Sequence, residues 1–229
     1  MRLGLGISIP GTSGLVQAAF SPLDLSPVLW LDASDTSTIT ESGGAVSQWD
    51  DKSGNGNDVT QATASAQPTT GSTTINGLNV LALDGADFMT SASLSFTGLT
   101  MCAVFQHSSE NFYLLGTGTS NVYAGRGADG SSAAPVDNMG SMTLRFNGAA
   151  FSGTTSNDVY DTMAASTKVV TLSVDGSFTQ QIRPYGYTSS TGMPVGAIAE
   201  VIIVNGTLTA GEIAATEQYL ADKWGITLP

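Results

Sequence analysis

The sequence predicts an all-β protein in which antiparallel strands form a sandwich or barrel, with one C-terminal helix and an extended N-terminal arm. Three observations carry this reading. Only 11% of the 229 residues are charged, against about 25% in an average soluble protein, while Gly, Ser and Thr are abundant, a composition suited to turns. Short stretches rich in Val, Ile, Leu and aromatic residues recur between Gly and Asn. Helix start and stop signals bracket a single segment, near the C-terminus.

Residues 1–22, MRLGLGISIPGTSGLVQAAFSP, superficially resemble a signal peptide with Val16-Gln17-Ala18 as a cleavage-like site, but Gly4, Gly6, Pro10 and Gly11 interrupt its apolar core. A Gly-rich terminus has little core of its own to fold around. It is expected to be an ordered, extended arm lying on a neighbouring subunit or partner, with packing against its own domain as the alternative. Strands are expected at 28–32, 45–49, 78–83, 99–106, 112–115, 121–124, 142–146, 168–174, 178–182 and 195–204. The Ser-, Thr- and Gly-rich stretches 60–74 and 152–157 read as long loops. Asp175-Gly176 lies between two strand-like runs and predicts a two-residue hairpin turn, because such turns need positive backbone angles. Thr209 with Glu212 three residues later is a capping box, Ile213, Leu220 and Trp224 share one helical face, and Gly225 is a stop signal. These predict a helix over 210–224. No internal repeat or Pro-rich linker interrupts 23–229, which therefore reads as one domain.

The formal net charge is −12 with only seven Lys and Arg, namely Arg2, Lys52, Arg126, Arg145, Lys168, Arg183 and Lys223. They are scattered, and neutralising phosphates takes clustered cations, so nucleic acid and anionic membrane are both disfavoured as partners. No apolar run reaches the roughly 20 residues that a membrane-crossing helix requires. Cys102 is the sole cysteine, which rules out an intrachain disulfide. Its setting in Met101-Cys102-Ala103-Val104-Phe105 reads as a buried packing thiol.

Enzymatic constellations are not apparent. The five glutamates, Glu41, Glu110, Glu200, Glu212 and Glu217, form none of the alternating arrays that glycosidases of sandwich type use. His107 is the only histidine, in His107-Ser108-Ser109-Glu110, and reads as a solvated residue at a strand end rather than a general base. Zinc sites of Cys and His type are excluded by count. Residues 125–130 match Gly-x-Gly-x-x-Gly, yet Ser131-Ser132-Ala133-Ala134-Pro135 follows where a helix should open, so they read as a loop. Asn205-Gly206-Thr207 is a formal glycosylation sequon, meaningful only in a eukaryotic secretory pathway.

Two candidate binding features remain. In Trp49-Asp50-Asp51-Lys52-Ser53-Gly54-Asn55-Gly56-Asn57-Asp58, the side chains of Asp51, Ser53 and Asn55 with Gly56 match the first half of a Ca²⁺ loop, and Asn57 could add a carbonyl. The twelfth position is Ala62, not a carboxylate, so Asp84 or Asp32 would have to complete the shell. The other reading is structural: the Gly and Asn residues supply turn conformations, the Asp side chains bond nearby backbone N–H groups, and Trp49 is a buried anchor. The second feature is Tyr185-Gly186-Tyr187. With Tyr113, Tyr123 and Tyr160, these aromatics are candidates for stacking on a host glycan, core or turn packing being the alternative.

Several of these pieces align: Leu29-Trp30-Leu31-Asp32, the Trp49–Asn57 run, Leu83-Asp84-Gly85, Glu200-Val201-Ile202-Ile203-Val204, and Glu217-Gln218-Tyr219-Leu220-Ala221-Asp222-Lys223-Trp224-Gly225. In this combination the chain resembles, over 28–225, the laminin-G-like, concanavalin A-like jelly-roll superfamily in the form common in bacteria and tailed phages. The resemblance implies a two-sheet antiparallel jelly roll in which the Trp49–Asn57 run is a signature loop. Members include glycan binders, adhesion modules and virion proteins, so the fold alone does not assign a role. The Gly-rich arm before Phe20-Ser21-Pro22-Leu23 resembles the N-termini of phage structural proteins. The expectation is a non-enzymatic virion protein in many copies, a capsid decoration protein or tail accessory whose partners are capsid or tail proteins, with a carbohydrate-binding or adhesion module as the alternative.

Overall fold

A computed structural model describes residues 19–108, 114–117, 142–154, 156–163, 166–186 and 194–229. Its strands are β1 (Leu29–Asp32), β2 (Ile39–Ser42), β3 (Ala45–Trp49), β4 (Val59–Thr60), β5 (Thr74–Ile75), β6 (Leu78–Asn79), β7 (Leu81–Asp84), β8 (Ser93–His107), β9 (Leu115–Thr117), β10 (Met142–Phe146), β11 (Ala149–Ala150), β12 (Thr167–Pro184) and β13 (Val195–Asn205). Two α-helices join them, α1 (Ser156–Met163) and α2 (Ala210–Trp224). The expected all-β, antiparallel character is what the protein shows. The expected strand at 121–124, residues 112 and 113 of the one at 112–115, the 125–130 loop and residues 1–18 of the arm lie outside the described residues.

One large sheet runs in the order β1-β13-β8-β12-β10-β11, with β7 also on β13 and β9 also on β12, and every pairing is antiparallel. Its centre is buried on both faces, as the run Leu99–Phe105, apolar but for Thr100, requires. On one face Leu29, Leu31, Met101, Ala103, Phe105, Leu172, Val201 and Ile203 pack with Val46 and Trp49 of β3, Val59 of β4 and Leu83 of β7. On the other, Cys102, Val104, Val169, Ala199 and Ile202 pack under Leu220, Ala221 and Trp224 of α2. Alternate residues of the same strands therefore feed two separate cores. The second core is the one made by the C-terminal helix.

The helix forms as its sequence signals. Thr209 accepts a hydrogen bond from the Glu212 N–H while the Glu212 carboxylate takes the Thr209 N–H, and Gly225 ends the helix with φ 69° in the left-handed region.

Two expectations about chain direction are corrected. The Asp175-Gly176 pair is no hairpin turn: β12 passes straight through it, and both halves pair with β8, Asp175 opposite Gly98 and Phe178 opposite Phe96. Two residues, 176 and 177, thus face the single residue Thr97, which makes a β-bulge. The local demand for positive φ is real, at 105° for Gly176, but the 15-residue β8 is long enough to pair with β12 on both sides of it. The second correction is α1, since one helix alone was expected and 152–157 read as loop. Val159 and Met163, one helical turn apart, are fully buried in the first core, which is what fixes that short helix.

Candidate functional site

Residues of four of the five motifs, all but Leu83-Asp84-Gly85, converge on one place, at the β1 edge of the large sheet beneath α2. Asp32 ends β1 and lies directly opposite Glu200 on β13. Like charges in register repel, and a carboxylate with no solvent exposure, as Glu200 has, is costly unless it is paired. Both requirements are met from elsewhere in the chain. Glu200 Oε1 accepts from the Trp30 indole N–H at 2.8 Å and the Tyr219 hydroxyl at 2.9 Å; Oε2 accepts from Lys223 Nζ at 2.7 Å and the Trp224 indole N–H at 2.9 Å. Asp32 Oδ1 accepts from Lys223 Nζ at 2.7 Å and from the Ser34 hydroxyl and N–H, and Oδ2 from Lys52 Nζ at 2.9 Å. Lys52 also reaches Asp35, at 2.9 Å.

Three carboxylates thus face two ammonium groups, and the aromatic rings add to the enclosure. Lys52 lies 4.7 Å from the Trp30 ring centroid and Lys223 5.2 Å from that of Trp224. Burial by itself would raise the Asp32 carboxyl, but hydrogen bonds from Lys223, Ser34 and Lys52 outweigh it and hold Asp32 below the usual range. Lys52 shows the mirror case, raised by Asp32 and Asp35 against a burial cost. Burial and the adjacent Glu200 push the Tyr219 hydroxyl far up, so it stays a neutral donor. Groups locked in these protonation states hold structure together; they are not poised to pass protons near neutral pH.

The Trp49–Asp58 run works beside this cluster. Leu29, Leu31 and Ala33 turn toward β13, leaving the backbone groups of Trp30 at the free edge of the sheet. Asp51 Oδ1 accepts the Trp30 N–H at 2.9 Å, the Lys52 N–H donates to the Trp30 carbonyl at 2.8 Å, and the Asn55 and Asn57 amides donate to the carbonyls of Pro27 and Val28. The loop substitutes for a neighbouring strand and caps an edge that would otherwise invite another chain. Asp51 also accepts from the Ser53 N–H and hydroxyl and the Asn57 N–H, so its two oxygens carry four protein donors in all. Trp49 is 1% exposed and anchors the loop in the first core.

The Ca²⁺ set of Asp51, Ser53, Asn55 and Asn57 is therefore brought together, but as a hydrogen-bonded clasp. Neither remote carboxylate completes it: Asp32 is taken by the two lysines, and Asp84 bonds the Ala86 N–H in a different turn. Among the described residues no group of three or more His, Cys, Asp and Glu is arranged to hold a metal ion.

Tyr185 is not an exposed glycan platform. It is fully buried, its ring stacked on Phe105 with centroids 4.6 Å apart, and its hydroxyl lies 2.8 Å from His107 Nδ1. Tyr187, Tyr113 and Tyr123 lie outside the described residues. His107, expected in solvent, is 1% exposed, because β8 continues to this residue and Tyr185 and Tyr160 close over the ring. Cys102 is buried as expected, its thiol pushed up to about 12 chiefly by burial.

A second buried carboxylate fastens α2 from the helix side. Glu217, 2% exposed, accepts from Arg145 of β10 at 2.9 and 3.1 Å and from the Thr171 hydroxyl of β12 at 2.8 Å. Sequence reasoning tested Glu200 and Glu217 only as catalytic acids and missed this role. The available signal was a charge inside an apolar run, Ala197-Ile198-Ala199-Glu200-Val201-Ile202, which demands a partner once buried.

Comparison with protein-family models, with curated proteins and with solved structures gives no match to this chain.

Proposed function

We propose that this chain is a non-enzymatic structural protein of a tailed-phage virion, a jelly-roll domain displayed on the particle as a capsid decoration protein or tail accessory and held there by its N-terminal arm. The observation that carries the reading is the convergence of four of the five motifs, which supply Trp30, Asp32, Lys52, Glu200, Tyr219, Lys223 and Trp224 to one cluster whose charges are consumed internally. A sequence that spends its buried acids on fastening a loop and a helix to a sheet is built for durability rather than turnover. The net charge of −12 would keep particles that display many copies apart in solution.

The arm leaves the domain over α2. Pro22 is buried, Ser21 caps the short helical turn Pro22–Leu25, and the Phe20 ring lies 5.7 Å from that of Tyr219. Residues before this point carry Leu3, Leu5, Ile7, Ile9, Leu15 and Val16 between glycines, apolar side chains suited to burial against a neighbouring protein.

The test compares the full chain with one lacking residues 1–18, each added to particles purified from the phage that encodes it but lacking this protein. The full chain should co-sediment with particles and the shortened, still folded chain should not. Equal association of both removes the arm from the anchoring role. Association of neither, together with binding to a defined glycan, favours the adhesion reading.

A further inference from the structure

A groove of about 570 Å³ lies between α2 and the exit of the arm, walled by Ala215, Tyr219 and Lys223 of the helix and by Ala19 and Phe20. The polar groups around it are already engaged. The Tyr219 hydroxyl is turned to Glu200 at 2.9 Å and Lys223 Nζ to Asp32 and Glu200 at 2.7 Å, which leaves the tyrosine ring and the lysine methylenes to the groove. Gln218 and Asp222, which complete the lining, bond each other at 2.7 Å. A polar ligand would have to break these bonds to be held, whereas apolar side chains would not. The Phe20 ring already sits 5.7 Å from that of Tyr219. Leu23, in the turn that follows, is 51% exposed, the large apolar side chain most open to solvent among the described residues.

The chain itself carries a segment of matching chemistry. In residues 1–18, Leu3, Leu5, Ile7 and Ile9 recur at every second position with Gly or Ser between them, the period of an extended chain with one apolar side. The arm holds Arg2 and no acid, while all nineteen Asp and Glu lie after it, so arm and domain attract where two domains would repel. Ile9 stands ten positions before Ala19, about 33 Å away along an extended chain, whereas the 15 residues of α2 span about 22 Å. Stretched out, the apolar run reaches past the groove of its own helix to that of a neighbour.

We propose, on the reading of residues 1–18 as the anchoring arm, that the groove on α2 receives the apolar run Leu3–Ile9 of a second copy of this chain, so that neighbouring copies are tied arm to helix. The contact is heterologous: each copy gives an arm and offers a groove, and copies can therefore be linked in rings or rows. A groove that takes a few apolar side chains holds a free copy weakly, and many such links on one particle act together.

Crosslinking between two full-length chains tests this, one carrying Ile7→Cys and the other Gln218→Cys. Gln218 is exposed and the native Cys102 is buried, so the new thiols are the ones that react. Mixed at about 100 µM, where an association of micromolar strength is populated, and treated with a short bismaleimide, the two chains should give a covalent heterodimer identified by its mass. Adding Ala215→Arg to the Gln218→Cys chain, which fills the groove, should lower the yield about tenfold. Absence of the heterodimer overturns the proposal, as does a yield that Ala215→Arg leaves unchanged. A single chain with both cysteines that crosslinks only within itself also overturns it, because the arm then covers its own helix. No particle is present, so a failure here leaves the anchoring of the arm to particles to be decided by co-sedimentation alone.

Discussion

Asp32 and Glu200 face each other in register across the β1–β13 ladder, and Lys223 Nζ lies 2.7 Å from an oxygen of each. The helix that carries Lys223 is thus held to the sheet by the repulsion it relieves. The same lysine packs against Trp224, whose indole donates to Glu200, so the helix end, the strand pair and the cluster stand or fall together.

Lys223→Met should cost about 3 kcal/mol at neutral pH, since it leaves two buried carboxylates without their shared cation. Part of that loss should return near pH 4, where one of the two can accept a proton. Urea unfolding followed by circular dichroism at both pH values measures it; a cost under about 1 kcal/mol would mean that Lys223 bridges nothing of consequence.

Acid should weaken the fold through Asp32. Its carboxyl is held below the ordinary value of 3.8, so its contribution is present above that value and lost as the pH falls through the lower, folded one. Melting temperatures should drop steeply below about pH 4 in the unmodified protein and less steeply in Asp32→Asn, which starts from a lower value at neutral pH. Parallel curves would count against Asp32 as the acid-sensitive group.

Asp51→Ala removes the acceptor of four donors and should free the loop from the edge of β1, at a cost of about 2–3 kcal/mol. Because those donors already fill the carboxylate, millimolar Ca²⁺ should leave the melting temperature of the unmodified protein unchanged. A rise of several degrees that Asp51→Ala abolishes would restore the loop as a cation site.

Cys102, fully enclosed between the sheet and α2 with its thiol pushed up to about 12, should resist a disulfide-exchange reagent in the folded protein and react in full in urea. Rapid reaction without denaturant would show that α2 lifts readily from the sheet.

How far the sequence reaches is visible at particular residues. The strands around 28–32, 45–49, 99–106, 142–146 and 195–204 and the capped helix are there because apolar runs and caps act locally, through neighbours a few residues away. Asp175-Gly176 shows the limit of local reading: the dipeptide sets a positive φ, but whether that gives a turn or a bulge depends on how far β8 extends, some 80 residues earlier in the chain. His107 reads as a solvated strand end, and Tyr185 as either a glycan contact or a packing residue; what decides both is their contact with each other, across 78 positions. The charged cluster is harder still, since Lys223 and Asp32 are 191 positions apart. Spacing rules for catalytic or metal sites pass over such pairs, and only the physical demand that a charge within an apolar strand find a partner points toward them.

A double-mutant cycle between Glu200 and Lys223, built from Glu200→Gln, Lys223→Met and the pair, tests most directly the claim that these motif residues fasten the helix to the sheet. Unfolding free energies should give a coupling of about 1.5 kcal/mol or more, the double variant being markedly less damaged than the sum of the two single ones. Additive losses, with coupling below about 0.5 kcal/mol, would contradict the account and leave the charged cluster free for another role.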